Sequence, residues 1–584
     1  MTGDAHTMVE RTDPRLLAVA RGDARADLLI RGASVVNTFT CEIERGDVAV
    51  FGGRVAAVGE PREARESIDA SGAFVTPGFI DAHMHVESTM LMPREFVRVA
   101  LPHGTTGAVL DPHEIANVLG VPGIRLLMDD AAAMPMELMW GVSSCVPASH
   151  LETSGASLGV GDLEPLFDDP RVVALAEMMN FPGVVRGAPD VLAKVALGLR
   201  RRIVDGHAPG LRGSGLQAYV AAGITSDHEC TTAAEAMEKV RLGMTVYIRE
   251  GSAARNLKAL LPAVTPTNRH RFCFCTDDRH PADLADEGHI DHVVRRAVAL
   301  GLDPASAVAM ASLHAARHYG KRDLGAVAPG YAADLLVLDD LREFRPRLVL
   351  FRGRVVAREG RYEGPDAPAR AGLPASVVRL PAGFGAASLR VPAPRGGRIR
   401  VIGMDPHQLV TESLVLPAKV EGGACVADAG NDVLKLAVIE RHTGAGNVGV
   451  GFVRGFRLRR GALASTVGHD SHNLAVVGTN DDDMVVAARA LAETGGGQCA
   501  AEGGRVLAAL RLPVAGLMSD RPAGEVIAEQ RVLLDAAHSL GCPIHDPFMP
   551  LSFLPLVVIP HLKLSDRGLV DVDRFAFVPL DADE

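Results

Sequence analysis

Aromatic residues are scarce: 4% of the 584, with one Trp and five Tyr. That poverty excludes a stacking platform for single-stranded nucleic acid, which needs exposed rings in series. A basic surplus is missing too. The chain sets 60 Lys and Arg against 71 Asp and Glu, a formal net charge of −11, whereas a general nucleic-acid binder presents a basic face. No uncharged apolar run approaches the roughly 18–20 residues of a membrane-spanning helix. The eight cysteines lie scattered between Cys41 and Cys542 without a C-x-x-C pair, which removes zinc ribbons and thioredoxin-type motifs. Scattered cysteines in a long chain read as reduced thiols. The polar opening MTGDAHTMVERTDPR lacks the apolar stretch of a secretory signal. Together these features give a cytoplasmic expectation, with neither nucleic acid nor membrane as partner.

What is present is apolar mass. Hydrophobic residues make up 47% and charged ones 22%, enough for a large core. The texture then divides the chain. After an N-terminal extension at 1–25, residues 26–75 read as short strands broken by Gly-rich turns, and a matching texture returns at 325–362. The two pieces are expected to form one composite β domain. Between them, 76–324 alternates short apolar runs ending in polar residues with helical stretches such as AAEAMEKVRLG and HIDHVVRRAVALG. Eight such runs occur, from FVTPGFIDAHMH to FCFCTDD, which is the arithmetic of a (β/α)8 barrel. A Pro/Gly/Ala-rich linker is expected at 363–397 and a separate domain at 398–584. The fold class expected is α/β: a TIM-type barrel with a small composite β domain and a C-terminal α+β domain.

The chain also holds 21 histidines, and their placement is informative. The first run ends in D-A-H-M-H, so His83 and His85 share one face of a strand. The fourth run ends with Glu177, the fifth with His207, the sixth with His228 and the eighth with Asp277. Any one of these histidines reads equally well as a cap or a core residue. In a closed parallel barrel, however, all these strand ends meet on one rim. Four imidazoles and two carboxylates suffice for two divalent cations with one carboxylate bridging.

The stretches PGFIDAHMHVESTML, TTGAVLDPHEIANV, DGHAPG, TSDHE and FCTDD, with GHDSHNLAVVGTNDDDM further on, resemble the adenine deaminase family of the metal-dependent amidohydrolase superfamily. The resemblance spans about 26–575. It implies hydrolytic deamination of adenine to hypoxanthine and ammonia by a metal-bridged hydroxide. It implies Glu177 as a direct bridge where many relatives use a carboxylated lysine, manganese or iron as the metal with zinc also fitting the ligands, and a homodimer. Asp277 would then accept the proton of the attacking water and return it to the leaving ammonia. A further acid must protonate the ring, and His113, Glu114, Glu87 and Glu229 are candidates. His113 is the first choice for relaying protons to the water; Glu87 equally fits a carboxylate that orients His85. Ser144 and Glu229 are candidate substrate contacts. So is Asp278, which would point away from Asp277 if the strand continued. Cys145 reads as a packed thiol.

Other motifs fail on context. Gly155–Gly159 satisfies G-x-S-x-G without a strand before it, and Gly444–Gly449 has dinucleotide-type spacing but leads into another strand. No Pro-Cys pair exists for a cytidine-type zinc deaminase. His469, Asp470 and His472 read as turn residues, a further metal site or a lid over the barrel. Two rival functions stay open: a cyclic amide hydrolase on the same scaffold, and a non-catalytic scaffold homologue.

Overall fold

A computed structural model describes residues 8–366, 377–406 and 408–582. The start of the N-terminal extension and residues 367–376 of the expected linker lie outside the described residues.

Eight strands carry the central segment: β1 (Phe79–Met84), β2 (Thr105–Leu110), β3 (Glu137–Val142), β4 (Val172–Met178), β5 (Ile203–Gly206), β6 (Ser226–Asp227), β7 (Thr245–Arg249) and β8 (Phe272–Cys275). They run parallel in two arcs, β1 to β5 and β6 to β8. Backbone bonds join the arcs at both ends. Thr225 N–H donates to Val204 O (3.0 Å), while His85 N–H donates to Asp277 O (2.9 Å) and Asp277 N–H to His83 O (3.0 Å). Nearly every strand residue is buried on both faces, as strands sandwiched between barrel interior and helices require. The helical stretches read from sequence form Pro93–Ala100, Ala233–Arg241 and Ile290–Ala299.

The first apolar run divides between two sheets. Phe74–Pro77 pairs with Leu335–Leu338 in a sheet built from residues 26–77 and 335–362; after Gly78 the chain enters β1. A side chain at Gly78 would meet Thr106 Oγ1 at 2.0 Å, so only glycine fits this crossing.

An eight-stranded mixed sheet organises the C-terminal part, with helices Asp481–Thr494 and Ala523–Ser539 packed against it. Gly444–Gly449 leads into strand Val448–Arg454 rather than a helix, and 155–159 is a loop. The barrel and this sheet share one apolar core that includes Phe96, Leu110, Met518 and Phe553. Polar ties reinforce it: Asp566 accepts from Thr153 N–H (2.9 Å) and Oγ1 (2.7 Å), and Glu95 Oε2 accepts from Ala523 N–H (3.1 Å).

One buried lysine ties two buried carboxylates together near the ends of β5 and β6. Lys239 Nζ, fully buried, donates to Asp227 Oδ2 (2.9 Å), Glu235 Oε1 (2.9 Å) and Ala208 O (2.8 Å). Asp227 in turn accepts from Ala208 N–H (2.8 Å) and Glu229 N–H (3.0 Å), which fixes the ends of β5 and β6. Replacing Lys239 with Met leaves two buried carboxylates unpaired. We expect a loss of about 3–5 kcal/mol, read from the urea midpoint at unchanged m-value.

Candidate metal centre

Each rim side chain is placed by a specific backbone tie. Asp81 accepts from His83 N–H (3.1 Å), Thr276 Oγ1 (2.6 Å) and Thr276 N–H (3.2 Å), and stands 3.1 Å from His289 Nε2. It clamps β1 to the turn after β8. Asp277 occupies that turn with φ +61°, a left-handed conformation costing a non-glycine residue about 1 kcal/mol. Tyr219 OH accepts from His207 N–H (3.0 Å) and donates to Met178 O (2.9 Å), locking the ends of β4 and β5 together.

The result is a cluster of buried imidazoles around two carboxylates. Glu177 Oε1 lies 3.2 Å from His85 Nε2, 3.8 Å from His83 Nε2 and 3.4 Å from His113 Nδ1. Its other oxygen lies 2.7 Å from His207 Nδ1 and 3.3 Å from His228 Nε2. Asp277 Oδ1 stands 3.4 Å from His83 Nε2 and 3.1 Å from His85 Nε2. His85 Nδ1 donates to the Asp111 carbonyl (3.0 Å), which leaves its Nε2 free to bind. His113 Nδ1 sits 3.1 Å from Asp111 Oδ2.

The donor set fits divalent cations. The Nε2 atoms of His83 and His207 are buried without a hydrogen-bond partner among the described residues, and buried polar atoms rarely stay unpaired. Four-residue and three-residue groups around Glu177, His85, His228 and Asp277 bring ligand atoms within 4.8 Å of one another. Burial by itself would raise the Glu177 carboxyl, but the His207 and His228 imidazoles outweigh it and hold the group well below the usual carboxylate range. Asp277 is likewise raised by burial and lowered further still by Arg249, His83 and His85.

The other expected site residues divide. Glu229 accepts from Arg249 at 2.5 and 3.0 Å, while the same guanidinium reaches Asp277 Oδ2 at 2.5 Å. Glu87 Oε1 accepts from Ile115 N–H (3.0 Å); its Oε2 is buried and unpartnered, and burial pushes the carboxyl up to about 7. Ser144 donates to Glu177 O (2.5 Å) and so supports the backbone of β4 instead of presenting its proton to a ligand. The Cys145 thiol is buried and raised by that burial. Asp278 does not point away, because the strand stops at Cys275 and Asp277 turns left-handed. It accepts from Ser88 Oγ (2.5 Å) beside His85 and Asp277. Sequence reasoning missed Arg249 and Asp81. The signals were an arginine ending the seventh run and an aspartate inside D-A-H-M-H.

Two family descriptions match the chain: "Amidohydrolase family" over residues 74–356 and "Adenine deaminase C-terminal domain" over 408–576. An adenine deaminase of Desulfatibacillum aliphaticivorans is 49% identical over 574 residues, covering 97% of this chain and 99% of that protein. One from Methanothrix thermoacetophila is 48% identical over 567 residues, with the same coverage of 97% and 99%.

Because Glu177 faces imidazoles from four strand ends, Glu177→Gln should retain less than about half the parent's metal after purification from metal-supplemented cells. Elemental analysis of the purified protein reads this directly.

Proposed function

The chain belongs to the adenine deaminase family and deaminates adenine hydrolytically, and we propose how its barrel rim does so. The observation that carries the reading is the buried cluster of His83, His85, Glu177, His207, His228 and Asp277 with its unpartnered nitrogens. These six side chains would hold two divalent cations, with manganese the first metal to test, ahead of iron and zinc. What cations supply in such a place is a water acidified to a pKa of about 7.

The residues do the rest. Asp277, oriented by Arg249, takes a proton as water adds to the ring carbon bearing the amino group. It returns that proton to the nitrogen that leaves as ammonia, and hypoxanthine remains. His113, between Asp111 and Glu177, holds the water side of the site. Of the carboxyls considered for protonating the ring, Glu229 is paired with Arg249 and Glu114 with two imidazoles. Glu87, whose carboxyl burial raises to about 7, can carry a proton near neutral pH and is assigned the ring proton.

The cyclic-amide and scaffold alternatives share the barrel but not the C-terminal match. Metal-stripped enzyme given two equivalents of manganese should release ammonia from adenine and leave a hydantoin closed. Opening of the hydantoin with adenine untouched would overturn the substrate assignment. Glu87→Gln should lower kcat on adenine by about 10²–10⁴-fold, read in the same ammonia assay; unchanged kcat would remove Glu87 from its role.

A further inference from the structure

The loop 468–473 belongs to the C-terminal sheet domain, yet it lies on the barrel rim. His469 Nδ1 and His472 Nε2 each contact one oxygen of Glu114, the second residue of helix His113–Leu119. Asp470 Oδ1 stands 3.5 Å from His113 Nε2. His469 Nε2 lies 3.8 Å from Asp278 Oδ1. All of these side chains are buried.

The loop is built to hold this pose. Gly468 N–H donates to His472 Nδ1 (3.1 Å), so the ring proton sits on Nε2, the nitrogen turned to Glu114. Arg441 Nε donates to His472 O, and Arg441 Nη2 donates to Ala515 O (2.9 Å). The His469 ring stacks on Phe553 with centroids 4.3 Å apart and planes 11° off parallel. His472 itself is left-handed at φ +53°, a costly backbone of the kind that persists at functional sites.

Glu114 Oε1 is only 3.6 Å from His113 Nε2. A free Glu114 carboxylate would swing onto that imidazole and draw it off the rim. With each oxygen facing an imidazole of the C-terminal loop, His113 stays with Asp111 and Glu177.

We propose that His469 and His472 are positioning residues of the deaminase site, which hold the Glu114 carboxylate and thereby keep His113 on the rim. On this account the barrel is not a complete active site, and the C-terminal domain supplies the missing support. The inference rests on the adenine deaminase reading, which is tested first: wild-type enzyme that leaves adenine untouched fails that reading before any variant is compared.

The test is a double-mutant cycle on the full-length, metal-loaded enzyme. His472→Ala should lower kcat about 10- to 100-fold, and Glu114→Gln, which removes the competing charge, by less, with KM within about threefold and metal content unchanged. The double variant should match Glu114→Gln alone, because with the carboxylate gone His472 has no charge left to hold away from His113. His472→Gln, which restores an N–H donor, should recover part of the loss. Should His472→Ala not fold, His469→Asn with Glu114→Gln makes the same cycle. Multiplying losses, or an unchanged kcat in active protein, would overturn the proposal. So would loss of a third cation per chain from His472→Ala, which would make the loop a metal site instead.

Discussion

Most carboxylates buried at the barrel rim meet a positive partner, Glu87 being an exception that burial raises to about 7, and this pairing organises the upper half of the molecule. An unpaired ion there costs several kcal/mol. Asp227 has Lys239, Glu229 and Asp277 share Arg249, Glu114 has two imidazoles, and Glu177 is ringed by histidines. Each pairing joins a strand end to a different element, so settling the charges also sets the geometry. Around Glu177 and Asp277, the unsatisfied nitrogens of His83 and His207 coincide with the densest gathering of ligand atoms, and that unmet demand marks the cation-binding place.

Much of this was legible in sequence where chemistry coincides with a short period. His83 and His85 are two apart on a strand and share a face. Glu177, His207 and His228 end successive runs, so parallel-barrel topology alone gathers them. Arg249 ends a run in the same way, yet a search for metal ligands passes over a cation. Asp278 was misdirected because continued strand geometry was assumed, whereas Asp277 turns left-handed. The contact of Glu114 with His469 and His472 had no local signature at all. Tertiary packing brings together segments from two differently folded regions, and turn-forming residues in GHDSHN gave no hint of which surface they meet.

Supporting residues were the least legible. Asp81, Tyr219 and Ser144 resemble any polar residue of a strand or helix. Their importance appears only when backbone bonds to His83, His207 and Glu177 are counted. A hydroxyl donating to a carbonyl looks the same in sequence as one donating to a ligand, which is why Ser144 was expected to face substrate.

The strand Phe74–Pro77 leads into the barrel, and its partner Leu335–Leu338 follows the barrel's last helices. This pairing closes a loop that contains the entire barrel. Such a distant contact cannot reward the chain early in folding, because the loop-closure entropy is spent before the hydrogen bonds form. The last strands of the small sheet are therefore expected to pair after the barrel has drawn its two ends together, and the edge of Phe74–Pro77 lacks this partner until residue 338 has been synthesised.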